Sequence, residues 1–136
     1  MAYQYKNKLI WTENKKGRLD IEGKPSLQVS TPEEFGGEKG YLSPEDLFVA
    51  SVNSCLMTTF LYFADKKRVK IKSYTSEAIG TLSKGLKGFC FSEIEIKIEA
   101  SAEDNEVQKK IPELIELAKR YCLISNSIKS KVRLIY

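Results

Sequence analysis

The stretch of sequence that decides the fold is SPEDLFVASVNSCLMTTFLYFADKK, which occupies residues 43–67. Ser43 can cap a helix, Pro44 suits its first turn, and the two acidic residues that follow favour the positive end of the helix dipole. At the other end, Lys66 and Lys67 complement the negative end of the dipole. These signals predict a helix from Pro44 to about Lys67.

The apolar residues of this helix lie almost all round its axis, and Leu47 to Ala64 is a run of 18 uncharged residues. A run of that length is near the minimum for a membrane span, but this one also contains polar side chains that a bilayer disfavours (Ser51, Asn53, Ser54, Thr58 and Thr59). A helix that is apolar on every side is normally covered by protein on nearly every side. The sequence therefore predicts a buried central helix with no membrane partner, in a homodimer whose second subunit supplies part of the cover.

Alternating apolar patterns and turn signals predict strands on both sides of this helix. Strands are predicted at 3–11, 18–22 and 26–30 before it and at 69–82 and 89–100 after it; a helix at 103–121, a short helix at 123–129 and a strand at 130–136 complete the chain. Pro112 either kinks the longer of these two helices or begins a new segment. The order βββ-α-ββ-α-β predicts a single α+β domain over residues 1–136.

The composition narrows the classes of function. The chain has 22 Lys and Arg against 18 Asp and Glu, and its basic residues are not gathered into a block, so no nucleic-acid partner is expected. The absence of histidine excludes His-dependent catalytic triads and His-ligated metal sites. The three cysteines form no CxxC pair, so no metal site is expected. Without an export signal they predict a reducing, cytoplasmic location in which thiol chemistry is possible.

The chemically capable residues, taken singly, have ordinary structural interpretations. Cys55 lies in the middle of the predicted helix among apolar residues, and Cys122 follows the second long helix. Cys90 has the same strand parity as the isoleucines at 94, 96 and 98, so it should face the core and be unreactive. Glu45, in a first helical turn, would favour the helix dipole. Singly, these residues do not define an enzyme.

Together, however, they resemble a known family. The run VSTPEEFGGEKGYLSPEDLFVASVNSC (Val29–Cys55) resembles the segment that leads to the first catalytic cysteine of the OsmC/Ohr proteins, the osmotically inducible and organic-hydroperoxide-resistance families. The similarity is closest in the STP and GGEKG motifs and in the Pro44-Glu45 pair that precedes Cys55.

A second motif near the C-terminus supports the same resemblance. AKRYCLISNSI (Ala118–Ile128) is similar to the family's second cysteine motif, Cys-Pro-x-Ser followed by a small polar residue. Cys122 and Ser125 match this motif, and Leu123 stands in place of its proline. The order of the predicted elements agrees with the family over essentially the whole chain.

The resemblance implies an OsmC-like α+β fold, with antiparallel sheets packed around a long central helix in an intertwined homodimer. It also implies a peroxidase that needs no bound cofactor. The thiolate of Cys55 would attack an organic hydroperoxide and become a sulfenic acid, and Cys122 would condense with it to form a disulfide. An external dithiol, often a lipoyl group in the family, would reduce that disulfide.

The resemblance further implies an arginine near the reactive cysteine, held by the glutamate that Glu45 matches. Arg18 is the candidate, because a guanidinium can pair a carboxylate bidentately and still face the sulfur; the closest alignment places the family arginine at Lys15. The apolar substrate pocket is assigned to three residues (Phe48, Val52 and Tyr62). Two alternatives remain open: a family member that binds a hydrophobic ligand without turnover, and a structural dimer with inert cysteines.

Overall fold

The computed structural model describes all 136 residues, and the chain forms two compact units, residues 1–48 and 49–136. The long helix α1 (Pro44–Lys66) begins in the first unit and continues in the second. Its predicted start and end are therefore confirmed to within one residue. Whether the two units behave as the single domain expected from the sequence stays a prediction.

The first unit is built on a three-stranded antiparallel sheet in the order β1-β2-β3. Its strands are β1 (Lys8–Glu13), β2 (Lys16–Asp20) and β3 (Leu27–Ser30), followed by a 3-10 turn at Glu33–Phe35. The first strand begins later than the alternation of residues 3–11 predicts. The reason is the pairing register: Lys8 is opposite Asp20, the last residue of β2, so the residues before Lys8 have no strand to pair with.

The start of α1 is fixed by the capping interactions that its sequence predicts. The Ser43 hydroxyl accepts a hydrogen bond from the Asp46 backbone N–H at 3.0 Å, and the Asp46 carboxylate accepts one from the Ser43 N–H at 2.9 Å. This reciprocal arrangement satisfies backbone donors that would otherwise be unpaired at a helix start. Ser43 is correspondingly buried.

The second unit contains a mixed sheet in the order β4-β5-β6. The strands β4 (Ile71–Gly85) and β5 (Gly88–Ala102) form a long antiparallel hairpin, whereas β6 (Lys131–Ile135) pairs with β5 in the parallel direction. The β4-β5 hairpin is antiparallel as expected, and β6 makes the sheet mixed. The parallel pairing follows from the helical crossover between the two strands, because a parallel neighbour requires such a connection.

The crossover consists of a short helix, α2 (Asn105–Gln108), and a longer one, α3 (Ile111–Tyr121). Pro112 lies in the first turn of α3, so it begins a new segment rather than kinking one helix. A 3-10 turn at Ser125–Ser127 stands where the short helix at 123–129 is predicted. The α+β class and the predicted order of elements are confirmed.

The core of the second unit lies between the helices and the sheet. On α1 the buried residues are spaced four apart and form one stripe (Val52, Leu56, Phe60 and Ala64), and the inward isoleucines of β5 and the apolar face of α3 are also buried. The Phe60 and Tyr74 rings lie 5.0 Å apart and join α1 to β4, and Ser76 donates a hydrogen bond to the Asn53 amide oxygen at 2.7 Å. By length and hydropathy α1 could cross a membrane, but its buried stripe favours a core helix.

Cys90 does not face the core, so that prediction is wrong. Its side chain is exposed, although Ile94, Ile96 and Ile98 are buried as expected. The cause is a β-bulge: Thr81 pairs with Glu93 and Leu82 pairs with Phe91, which leaves Ser92 as an extra residue in β5. An extra residue reverses the parity of everything beyond it, so Cys90 points outward.

Candidate active site

The candidate site is centred on Cys55, which lies in the middle of α1 and is partly buried. One helical turn further on, the Thr59 hydroxyl lies 3.9 Å from the Cys55 sulfur. The same hydroxyl donates a hydrogen bond to the Cys55 carbonyl oxygen at 2.8 Å. The rigid helix therefore fixes the sulfur position and leaves it accessible from one side.

The chain that follows α3 supplies the remaining donors around this sulfur. Hydrogen-bond interactions with the backbone of Ile124 and Leu123 and with the Cys122 side chain lower the pKa of the Cys55 thiol. Burial raises the pKa of the Cys55 thiol, but these hydrogen bonds, together with that of Thr59, outweigh burial and bring the pKa below its ordinary value. The thiolate form of Cys55 is therefore stabilised.

Cys122 has the opposite electrostatic environment. It is the C-terminal capping residue of α3 and has no exposed surface. Burial raises the pKa of the Cys122 thiol, and the interaction with Cys55 raises it further. Hydrogen-bond interactions with the Ser125 side chain and backbone lower the pKa, but the net pKa is above its ordinary value. The lowered pKa of Cys55 and the raised pKa of Cys122 make Cys55 the first of the two thiols to ionise.

This pair combines a thiol whose pKa is lowered with a second thiol whose pKa is raised. A thiolate is the reactive form of cysteine towards electrophilic oxygen and sulfur. Both cysteines are free in the structure. The described residues contain no group of three or more Cys, Asp or Glu side chains that could hold a metal ion.

A groove of about 830 Å³ extends along α1. Its lining includes Thr59, whose hydroxyl lies 3.9 Å from the Cys55 sulfur, and Leu123, which follows Cys122. Its walls are largely aromatic and aliphatic (Tyr62, Phe63, Leu117 and Tyr121). Charged groups lie where α1 ends and where α3 begins (Lys66, Lys67 and Glu113). The Phe63 and Tyr121 rings lie 5.4 Å apart and connect the α1 wall to the α3 wall. The groove can accept an apolar chain whose reacting end lies near Cys55.

The predicted pair between Arg18 and Glu45 is not formed in this structure. The Arg18 guanidinium donates to the Asp20 carboxylate through Nε and Nη2, at 3.0–3.2 Å. These hydrogen bonds and the charge of Asp20 raise the pKa of Arg18 above its ordinary value. The Oε1 atom of Glu45 is buried without a hydrogen-bond partner. Lys15 is exposed and lines a separate cavity of about 310 Å³ in the first unit. The roles of Arg18, Lys15 and Glu45 towards Cys55 stay predictions.

The three residues assigned to the substrate pocket lie in different environments. Tyr62 lines the groove and is 55% exposed. Val52 has no exposed surface and belongs to the core of the second unit, and Phe48 is half-buried at the end of the first unit. Contact of these residues with a substrate stays a prediction.

The effect of the Leu123 and Ile124 backbone on the pKa of the Cys55 thiol is not predicted by the sequence. Side-chain motifs carry no direct information about where a backbone N–H points. One signal was nevertheless present at position 123. Leucine stands there in place of the proline of the motif that this segment resembles, and leucine has the N–H that proline lacks.

Comparison with known proteins places the chain in a family. The family model described as OsmC-like protein matches residues 36–136, and a search of curated proteins finds no match. An OsmC-like protein of unknown function from Vibrio cholerae superposes with a TM-score of 0.89 at 21% identity, with 98% of each chain covered.

Two further solved structures are organic hydroperoxide resistance proteins. The protein from Legionella pneumophila has a TM-score of 0.73 at 23% identity, over 99% of this chain and 96% of its own. A protein from Vibrio cholerae, with captopril bound in one of its active sites, has a TM-score of 0.71 at 21% identity, over 98% and 91% of the two chains. At these identities the structures show the OsmC-like fold, and the family model covers most of the sequence. The chain belongs to the OsmC-like family.

Proposed function

We propose that this protein is a two-cysteine thiol peroxidase that reduces organic hydroperoxides to alcohols. The observation that carries the proposal is a pair of interacting thiols whose pKa values move in opposite directions, Cys55 to a lower and Cys122 to a higher value. Membership in a family that includes organic hydroperoxide resistance proteins supports the same reaction class.

In the first step the Cys55 thiolate attacks the distal oxygen of the hydroperoxide. A sulfur–oxygen bond forms, the O–O bond breaks, and the alkoxide that leaves takes a proton to become the alcohol. Cys55 becomes a sulfenic acid, oxidised by two electrons. The lowered pKa of Cys55 favours this step, because the thiolate is the attacking form.

In the second step the Cys122 thiol attacks the sulfenic sulfur of Cys55. A disulfide forms, and the hydroxyl group leaves as water with the proton of Cys122. The raised pKa of Cys122 suits this order, because a protonated thiol does not compete for the peroxide. An external dithiol, of the lipoyl type, then reduces the disulfide and is itself oxidised to a disulfide.

The groove along α1 supports a preference for bulky organic substrates. Its aromatic wall, to which Tyr62 and Phe63 belong, would bind the alkyl part of the hydroperoxide, whereas hydrogen peroxide would gain nothing from it. We expect bulky or fatty-acid hydroperoxides to react faster than hydrogen peroxide.

We also propose that the protein is a homodimer in a reducing, cytoplasmic compartment. Only one stripe of α1 is buried within the chain, and several large apolar side chains remain exposed, among them Tyr62 at 55%, Ile79 at 65% and Phe89 at 57%. Exposed apolar surface of this extent is typical of an interface. We therefore propose that a second copy of the chain packs against the exposed sides of α1.

The two cysteines should fail differently when each is replaced by serine. Cys55→Ser should not react with cumene hydroperoxide, because it lacks the nucleophile. Cys122→Ser should consume about one equivalent and then stop as a sulfenic acid that dimedone can trap. Cys90→Ser is the matched control, since Cys90 is exposed on β5 and should turn over as the parent does.

Two results would contradict the proposal. One is peroxide consumption by Cys55→Ser at the parent rate, and the other is normal turnover of Cys122→Ser with a dithiol. A parent protein that consumes no peroxide, yet binds long-chain fatty acids, would support the ligand-binding alternative instead. A parent protein that does neither would support a structural dimer with inert cysteines.

A further inference from the structure

One face of α1 carries a line of side chains that begins at Cys55 and continues to the end of the helix. Three residues stand four, seven and eleven positions after Cys55 and also line the groove along α1 (Thr59, Tyr62 and Lys66). Positions with these spacings lie on the same side of a helix. The groove therefore follows the face of α1 on which the Cys55 sulfur lies 3.9 Å from the Thr59 hydroxyl.

The end of the groove at Lys66 has a positive charge that no carboxylate of the chain offsets. Lys67 is paired with Glu113, with its Nζ atom 3.1 Å from Oε1, whereas Lys66 forms no ion pair within the chain. The Lys66 Nζ atom lies 5.6 Å from the centre of the Tyr62 ring, one turn nearer to Cys55. An ammonium group has three N–H donors, so Lys66 is available to an anion that enters this end of the groove.

Between Cys55 and Lys66 the groove is long and mainly apolar. A helix rises about 1.5 Å per residue, so the Cα atoms of these two residues are separated by about 16 Å along α1. Aromatic and aliphatic side chains of α1 and α3 form the walls over this length (Tyr62, Phe63, Leu117 and Tyr121). A molecule that contacts both ends therefore needs a long alkyl chain and a negatively charged group at its end.

We propose that Lys66 is a specificity-determining residue that binds the carboxylate of a long-chain hydroperoxy acid. The alkyl chain lies against the apolar walls, and the hydroperoxide group lies near Cys55. This arrangement gives a preference for a free acid over its ester, which apolar contact with the chain does not give. The inference rests on the proposed function for the reaction at Cys55, but the binding of the acid can be measured with a molecule that has no peroxide group.

The preference is measured with the hydroperoxide of linoleic acid and with the methyl ester of the same hydroperoxide, which lacks the negative charge. Lys66→Met removes the ammonium group and keeps an unbranched apolar side chain. Lys70→Met is the matched control, because Lys70 is an exposed lysine near the same end of α1 that lines a different cavity. The value of kcat/KM is determined for both substrates and all three proteins, at low and at high salt.

In the parent protein kcat/KM should be higher for the acid than for the ester, and the ratio of the two should fall at high salt, because ions screen an exposed charge. Lys66→Met should lower this ratio about threefold to fivefold, as expected for the loss of one exposed ion pair, and should remove its salt dependence. Lys70→Met should keep the parent ratio. An unchanged ratio in Lys66→Met, or an equal loss in Lys70→Met, would overturn the proposal.

Calorimetric titration with dodecanoate tests the same contact without turnover. Dodecanoate should bind the parent and Lys70→Met with equal affinity, and Lys66→Met should bind it about threefold to fivefold more weakly. No binding to the parent, or binding that Lys66→Met does not weaken, would overturn the inference even if the protein is a peroxidase. Binding that depends on Lys66 in a protein that consumes no peroxide would support the acid site and refute the proposed function.

Discussion

Gly80→Ala tests the packing of α1 against β4, on which the position of Cys55 depends. A Cβ atom at position 80 would lie 2.5 Å from Val49 Cγ2 and 3.0–3.1 Å from the Phe91 ring. The first distance is far inside van der Waals contact, and valine has little rotameric freedom with which to yield. α1 and β4 must therefore separate, or Val49 must leave its preferred rotamer.

The expected cost can be worked out from these contacts. Overpacking of this kind costs about 1–3 kcal/mol, and replacing glycine by alanine returns about 0.4–1 kcal/mol through the unfolded state. The net loss in unfolding free energy is then about 1.3 kcal/mol at the centre of these ranges, or a fall in Tm of about 4–5 °C for a chain of this size. Thermal unfolding is followed by circular dichroism at one fixed protein concentration.

Two companion variants make the assay specific. Gly85→Ala is the matched control in the same strand, because the nearest atom to its added Cβ lies 3.7 Å away, an ordinary contact. Its stability should change by less than about 0.5 kcal/mol. In a double-mutant cycle Val49→Ala should recover most of the loss caused by Gly80→Ala. A Gly80→Ala protein as stable as its parent, or a loss that Val49→Ala does not reduce, would refute the packing of α1 on β4.

Three further outcomes are expected. Cys90→Ser should retain both turnover and stability, because Cys90 is exposed beyond the bulge in β5; a folded Cys90→Ser protein without turnover would contradict this. Arg18→Ala should raise the pH midpoint of Cys55 alkylation, as expected of a guanidinium that stabilises the thiolate, and an unchanged midpoint would remove Arg18 from the site. Analytical ultracentrifugation at micromolar concentration should give a dimer, and a stable monomer alone would count against the proposed cover of α1.

Much of the fold could be predicted because its strongest signals are local. Ser43 and Pro44 mark the start of α1 through capping interactions that need no tertiary contact. The alternation of Ile94, Ile96 and Ile98 identifies the buried face of β5. The bulge at Ser92 could not be predicted from such a pattern, because it arises from the pairing of two strands and not from the residues of one strand.

The sequence identifies candidate residues of the site but not the interactions between them. Motifs identify Cys55 and Cys122, whereas the interaction of the two thiols depends on the tertiary position of the end of α3 relative to α1. The pairing of Arg18 with Asp20 could have been predicted, because residues two apart in a strand lie on the same face. The Asp20 carboxylate on that face competes with Glu45 for the guanidinium.

Intact-mass analysis after peroxide treatment tests directly whether Cys55 and Cys122 form a disulfide when a hydroperoxide is reduced. The Cys90→Ser protein is treated with one equivalent of cumene hydroperoxide in the absence of reductant, and its peptides are mapped without reduction. We expect a mass loss of two hydrogen atoms and a single cross-linked peptide pair that contains Cys55 and Cys122. An unchanged mass, or added oxygen on Cys55 with no link to Cys122, would contradict it.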